Sequence, residues 1–130
     1  MVRLVPIRDD DVPSTLVVLR EGVNTLSDES LAAACERAHG EIGLLGFSVL
    51  EVPHGDFAEL ARLRPLLKVR RKVRTALGAE LVAAGFVLVP TLDFPHWTLV
   101  LPEATEEHFK RVRWVFSEPI DNPAYESRRR

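Results

Sequence analysis

The sequence predicts an α+β protein: one domain whose mixed or mostly antiparallel sheet carries helices packed on it. Three observations lead there. Short runs rich in Val, Leu and Phe are bounded by turn residues, as strands are. Other runs place apolar residues three and four apart behind recognisable caps, as helices do. The two kinds of run interleave without internal repeat or dividing linker, which favours helices layered on one sheet. A chain of 130 residues with 46% hydrophobic and 28% charged content can bury one core without disulfide or metal.

Val2 to Ile7 and Thr15 to Leu19 read as strands, parted by the turn Asp9-Asp10-Asp11-Val12-Pro13. Ser27 then reads as an N-cap, with Asp28 and Glu29 complementing the helix dipole and Leu26 stapled to Leu31. Leu31, Ala34, Cys35 and Ala38 form the apolar stripe of that helix, which Gly40 and Gly43 end. Phe47 to Val52 is the third strand. Asp56 and Glu59 fit a capping box for a short helix that Pro65 interrupts. Pro65 also suits the first turn of a further helix reaching Ala84, because Leu66, Val69, Val73, Leu77, Leu81 and Ala84 follow helical spacing. Phe86 to Thr91 and Trp97 to Leu101 form a hairpin around Pro95. Thr105 caps a last helix, Glu106 to Val115, which buries Phe109 and Val112 with Phe116 just beyond. The predicted order is β-β-α-β-α-α-β-β-α, with the domain spanning 1–116. The stretch 117–130, with two prolines and a terminal Arg128-Arg129-Arg130, is expected to be a mobile tail.

A net charge of −2 excludes general affinity for nucleic acid, so any such role needs a local patch. Cys35 is the one cysteine; no intrachain disulfide can form, and a reducing compartment is expected. No signal-like apolar run and no membrane-length stretch occurs, so a cytoplasmic location without membrane contact is expected. P-loop, G-x-G-x-x-G, CxxC and helix-borne metal-ligand spacings are absent, and neither cofactor nor metal is expected.

His96 and Thr98 share one face of their strand, while Trp97, Leu99 and Leu101 mark the core side. An imidazole beside a hydroxyl suits phosphate chemistry: the histidine moves a proton near neutral pH and the hydroxyl holds a phosphate oxygen. His96 to Leu99 resembles half the signature of the two-histidine phosphoesterases, which present His-x-Thr or His-x-Ser on two strands. The second copy is missing, since His39, His54 and His108 are followed two positions on by Glu41, Asp56 and Lys110. The plainer reading is a hairpin with polar residues on its solvated face.

Between Leu60 and Ala79 lie seven basic residues and no acid. On the expected helix Lys68, Arg71 and Lys72 share a face, with Arg64 one turn earlier, and such a face can follow a phosphate backbone. It can equally dock an acidic protein or remain solvated surface. A strand-borne Arg20 followed by Ser48 and Glu51 on a later strand is loosely similar to the ADP-ribosyltransferases, which would imply an NAD-binding site at Arg20 and Ser48. Ser48 and Glu51 stand three apart, on opposite faces of a regular strand.

The stretches VVLREG, GLLGFSVLEVP, VRTALGAELVAAGFVLVPT and PHWTLVLP together resemble a group of small actinobacterial proteins, over Val2 to Pro123. These sit beside a second short reading frame, similar to toxin–antitoxin modules, which implies a small cognate partner protein. The expectation is therefore a toxin-like protein acting on RNA by metal-independent phosphodiester cleavage. His96 and Thr98 would be catalytic, and Arg64, Lys68, Arg71 and Lys72 would hold the backbone. The alternatives are a non-catalytic module that docks a partner through the basic helix, and an ADP-ribosyltransferase-like enzyme.

Overall fold

In the computed structural model, which describes residues 12, 13 and 15–126, the Ser27 hydroxyl accepts the amide of Ser30 and opens the first helix. The expected strand Val2 to Ile7 lies outside the described residues. Strand β1 is Val17–Glu21, and α1 runs Asp28–Ile42, past Gly40, to a left-handed Gly43 at φ 75°. Leu26 and Leu31 are both fully buried in one cluster, as a staple requires. Strand β2 is Gly46–Glu51, and α2, Phe57–Leu63, is capped by the Asp56 carboxylate accepting from Ala58 and Glu59 amides. A 3-10 turn, Pro65–Val69, leads to β3, Lys72–Leu77, and the short α3, Gly78–Ala83. Strands β4, Val87–Val89, and β5, His96–Val100, form the hairpin. Helix α4 is Glu106–Val115, capped by Thr105, and β6 is Ile120–Asp121.

All the strands among the described residues join one antiparallel sheet, ordered β4-β5-β2-β1-β3-β6. Helices α1, α3 and α4 cover one face, packing Leu31, Cys35, Leu81, Phe109 and Val112 with Val18, Phe47, Val49, Trp97 and Leu99. On the other face, Leu60 and Ala61 of α2 and Leu67 of the 3-10 turn cover Leu19 and Val73 of β1 and β3. Each fully buried leucine or valine among them contributes about 1.5–3 kcal/mol relative to exposure. This second cover spans β1 and β3. The same face of β2 and β5 carries Ser48, Leu50, His96 and Thr98 instead.

The expected helix from Pro65 to Ala84 does not form. Its central part is β3, which pairs with β1 along Val17↔Leu77 through Glu21↔Val73. Two periods fit this run, and the tertiary partner chose between them. As a strand it buries Val73 towards Leu67 and Ala76 towards Leu81, whereas Leu66, read as the start of a helical core stripe, is 70% exposed. Gly78 would also weaken a continuous helix by about 1 kcal/mol relative to alanine.

The segment after Ser117, expected to be mobile, adds β6 to the edge of β3 and folds back over the basic residues. Buried Asn122 organises it, donating to the carbonyls of Leu67 and Arg70, each at 2.8 Å, and accepting the Ala124 amide at 2.9 Å. Residues 127–130, including the arginine run, lie outside the described residues.

Candidate active site

His96 and Thr98 do point away from Trp97 and Leu99, but the face they occupy is not open at Thr98, which is 1% exposed. The loop between β4 and β5 places Thr91 against it, the two hydroxyls 2.8 Å apart. The expected role of Thr98 in holding a phosphate oxygen is therefore corrected: its hydroxyl is spent inside the protein. His96, half-buried at the start of β5, lies directly opposite Leu50 and reaches diagonally to Ser48. Its Nε2 stands 2.9 Å from the exposed Ser48 Oγ. Its Nδ1 stands 2.9 Å from Thr91 Oγ1 and 3.2 Å from the Thr91 carbonyl oxygen.

In the tautomer with the proton on Nδ1, that nitrogen donates to the Thr91 carbonyl and the Nε2 lone pair faces the Ser48 hydroxyl. That is the arrangement of a hydroxyl nucleophile, a base and an orienting group. The loop supplying Thr91 holds Leu92 at φ 56°, a costly conformation for a leucine of the kind that clusters at functional sites.

Arg20 joins the same chain of contacts: its Nη1 donates to the Ser48 carbonyl at 2.8 Å. The contact is through the backbone. The Arg20 guanidinium lies over the Phe47 ring, 5.1 Å from its centroid, on the face opposite Ser48 Oγ. Arg20 and Ser48 thus come together as the ADP-ribosyltransferase comparison would need, but with side chains on opposite faces. Glu51 meanwhile accepts the Trp97 indole N–H at 2.9 Å. A cleft of about 340 Å³, bordered by Arg20, Glu21, Thr25, Ser48 and Leu50, opens beside the serine.

The four basic residues expected on one helix face stand on different elements. Arg64 ends α2, Lys68 lies in the 3-10 turn, Arg71 precedes β3 and Lys72 begins it. Three of them meet the folded-back segment. Lys68 Nζ is 3.9 Å from Glu126, Lys72 Nζ is 2.5 Å from Asp121, and the Arg71 guanidinium lies 5.1 Å from the Tyr125 ring centroid. The common helix face is thereby corrected, and none of the four joins the Ser48–His96 pair. Arg70 comes nearer the cleft, its Nε 2.9 Å from Glu21.

Among the described residues no three of His, Cys, Asp and Glu converge as a metal-binding group, and no helix is long and apolar enough to cross a membrane. Sequence reasoning named Ser48 and His96 separately and missed Thr91, whose part depends on how the loop around Pro95 turns back. No family model, curated protein or solved structure matches the chain.

Proposed function

We propose that the chain cleaves phosphodiesters without a metal, with Ser48 as nucleophile and His96 as its base. The 2.9 Å contact between Ser48 Oγ and His96 Nε2, with Thr91 behind the ring, carries this reading. His96 Nε2 takes the serine proton as Ser48 Oγ bonds to phosphorus. The bond to the leaving oxygen breaks, and that oxygen receives the proton from Nε2. Water, losing a proton to the same nitrogen, then attacks phosphorus; the bond to Ser48 Oγ breaks, that oxygen takes the proton back, and a phosphomonoester leaves.

RNA is the proposed substrate, in keeping with the resemblance to toxin-like halves of two-gene modules. Glu21 borders the cleft and pairs with Arg70, so the rim of the site runs to the basic segment, where a polynucleotide could continue. The test incubates RNA and a chromogenic phosphodiester with the protein in excess chelator. Wild type should cleave, Ser48→Ala and His96→Ala should each lose at least a hundredfold in rate, and a serine phosphodiester still carrying one half of the substrate should be trapped on Ser48. Equal rates for wild type and Ser48→Ala would remove the nucleophile and end this reading.

One observation favours a second, non-catalytic reading. Trp114 on α4 is 81% exposed beside Lys110 and Arg111, as an anchor for a partner protein would be. Docking would then use α4 and not a basic helix. Trp114→Ala should abolish binding of a cognate partner, and unchanged affinity would exclude that surface.

A further inference from the structure

We infer that Arg20, Arg37 and Arg74 bind a small phosphate-type oxyanion on the α1 side of the sheet. Arg20 and Arg74 are direct cross-strand partners. Hydrogen bonds from Gly22 N to Lys72 O and from Gly78 N to Leu16 O mark the alternate rungs of that ladder. The arginines therefore form a hydrogen-bonded pair, with Cα atoms about 5.5 Å apart. Both side chains leave the sheet on the side of Val18 and Ala76, where α1 packs. Arg37, exposed on α1, adds its charge: the Arg20 guanidinium is lowered from its ordinary pKa first by burial and then by the Arg37 charge.

Like charges placed directly opposite on paired strands oppose folding. Here little offsets them. Glu21 attracts Arg20, but it is already paired with Arg70. Lys72, further along the same strand, is paired with Asp121. Among the described residues no carboxylate lies within ion-pair distance of Arg20, Arg37 or Arg74. The Nε atoms of Arg20 and Arg74 are both buried without an acceptor among those residues, a second unfavourable feature at the same place. Arg37 and Arg74 donate no side-chain hydrogen bond to any described residue, while Arg20 is fixed by the Ser48 carbonyl and the Phe47 ring.

One ligand would relieve both penalties. A compact oxyanion neutralises the uncompensated charge and accepts from planar guanidinium forks, whose geometry suits phosphate. Either inorganic phosphate or the terminal group of a phosphomonoester supplies that chemistry. Arg20 also borders the cleft beside Ser48, whereas Arg74 does not, so Arg74 is the residue that tests this site apart from the proposed reaction.

Thermal melts and titration calorimetry with inorganic phosphate, ribose 5-phosphate and chloride at matched ionic strength test the inference. Phosphate should raise the Tm of wild type in a saturable manner, as a ligand of the native state must. A preference for ribose 5-phosphate would identify a phosphomonoester as the source, and equal or weaker binding would identify free phosphate; either supports the site. Arg74→Gln should bind phosphate at least tenfold more weakly, and Arg37→Gln should also lose affinity. Arg62→Gln, at a residue paired with Glu59, should not. In phosphate-free buffer Arg74→Gln should melt above wild type, because it removes repulsion. No phosphate-specific shift in wild type would overturn the inference. So would full phosphate affinity in Arg74→Gln, or a lower Tm for that variant without phosphate. These readouts are of binding, so their failure leaves the Ser48–His96 reading to its own test.

Discussion

Asn122 holds the carbonyl of Leu67 across 55 positions of the chain, and with it the turn that separates α2 from β3. The same amide also serves Arg70, so one buried side chain ties the last strand to the basic segment. Asn122→Ala leaves both carbonyls without this donor in a dry place and should destabilise the fold by about 1–3 kcal/mol. Urea unfolding measures it. A change below a few tenths of a kcal/mol would show that the clasp is dispensable.

Thr98 and Ser48 sit opposite each other on β5 and β2 yet should respond differently to loss of their hydroxyls. Thr98→Val removes one hydrogen-bond partner of the buried Thr91 hydroxyl, which keeps its contact with His96 Nδ1, and should cost about 1 kcal/mol. Ser48 is exposed, so Ser48→Ala should stay within about 0.5 kcal/mol of wild type while abolishing turnover. The reverse ranking in paired melts and assays would exchange the structural and chemical roles of the two residues.

Gly46 lies so close to β5 that a Cβ there would stand 2.0 Å from the Leu99 carbonyl oxygen. Backbone cannot yield as a flexible side chain does, and Gly46→Ala should cost about 1–3 kcal/mol, as overpacking does. A calorimetric melt superimposable on wild type would mean that β2 and β5 separate freely.

Burial pushes the Cys35 thiol above its usual pKa, and the side chain is inaccessible. A raised pKa keeps the thiol protonated through neutral and mildly alkaline pH, so iodoacetamide should label it only as the protein unfolds. Labelling of native protein at the rate of a free thiol would contradict this.

Asp121 is held below the ordinary carboxylate range, first by its hydrogen bond with Lys72 and then by the lysine charge. A depressed folded pKa means that the pair's contribution is present above the unfolded value, about 3.9, and is lost as pH falls through the folded one. The carboxylate is exposed, so the effect is small and salt-sensitive. Wild type should therefore exceed Asp121→Asn in urea midpoint at neutral pH and lose that lead in acid. A lead independent of pH would assign the difference to something other than this charge.

The caps and the core were the legible part of the fold. Ser27, Asp56 and Thr105 each act on neighbours within three residues, and a local rule suffices for them. Strand β3 was not legible, because the residues from Leu66 to Leu81 satisfy the helical period while their partners in β1 and β6 lie far away in sequence. The basic face vanished with that helix. His96 and Ser48 were visible as residue types, but their meeting depends on the Leu50↔His96 register, which no local pattern encodes. Thr91 carried no signal beyond its place before a proline-containing loop.

The strand order has a consequence for how the chain reaches this state. Among the described residues only β4 and β5 form a local hairpin; the central ladders join Val18 to Glu51, Arg20 to Arg74 and Val49 to Trp97. Loop-closure entropy must be met before any of these rungs returns energy, which slows folding relative to a helical bundle with local contacts. The helices can flicker early, but Ser48 and His96 meet only when the interior of the sheet closes, so recovery of the proposed cleavage after dilution from denaturant should trail the return of helical signal.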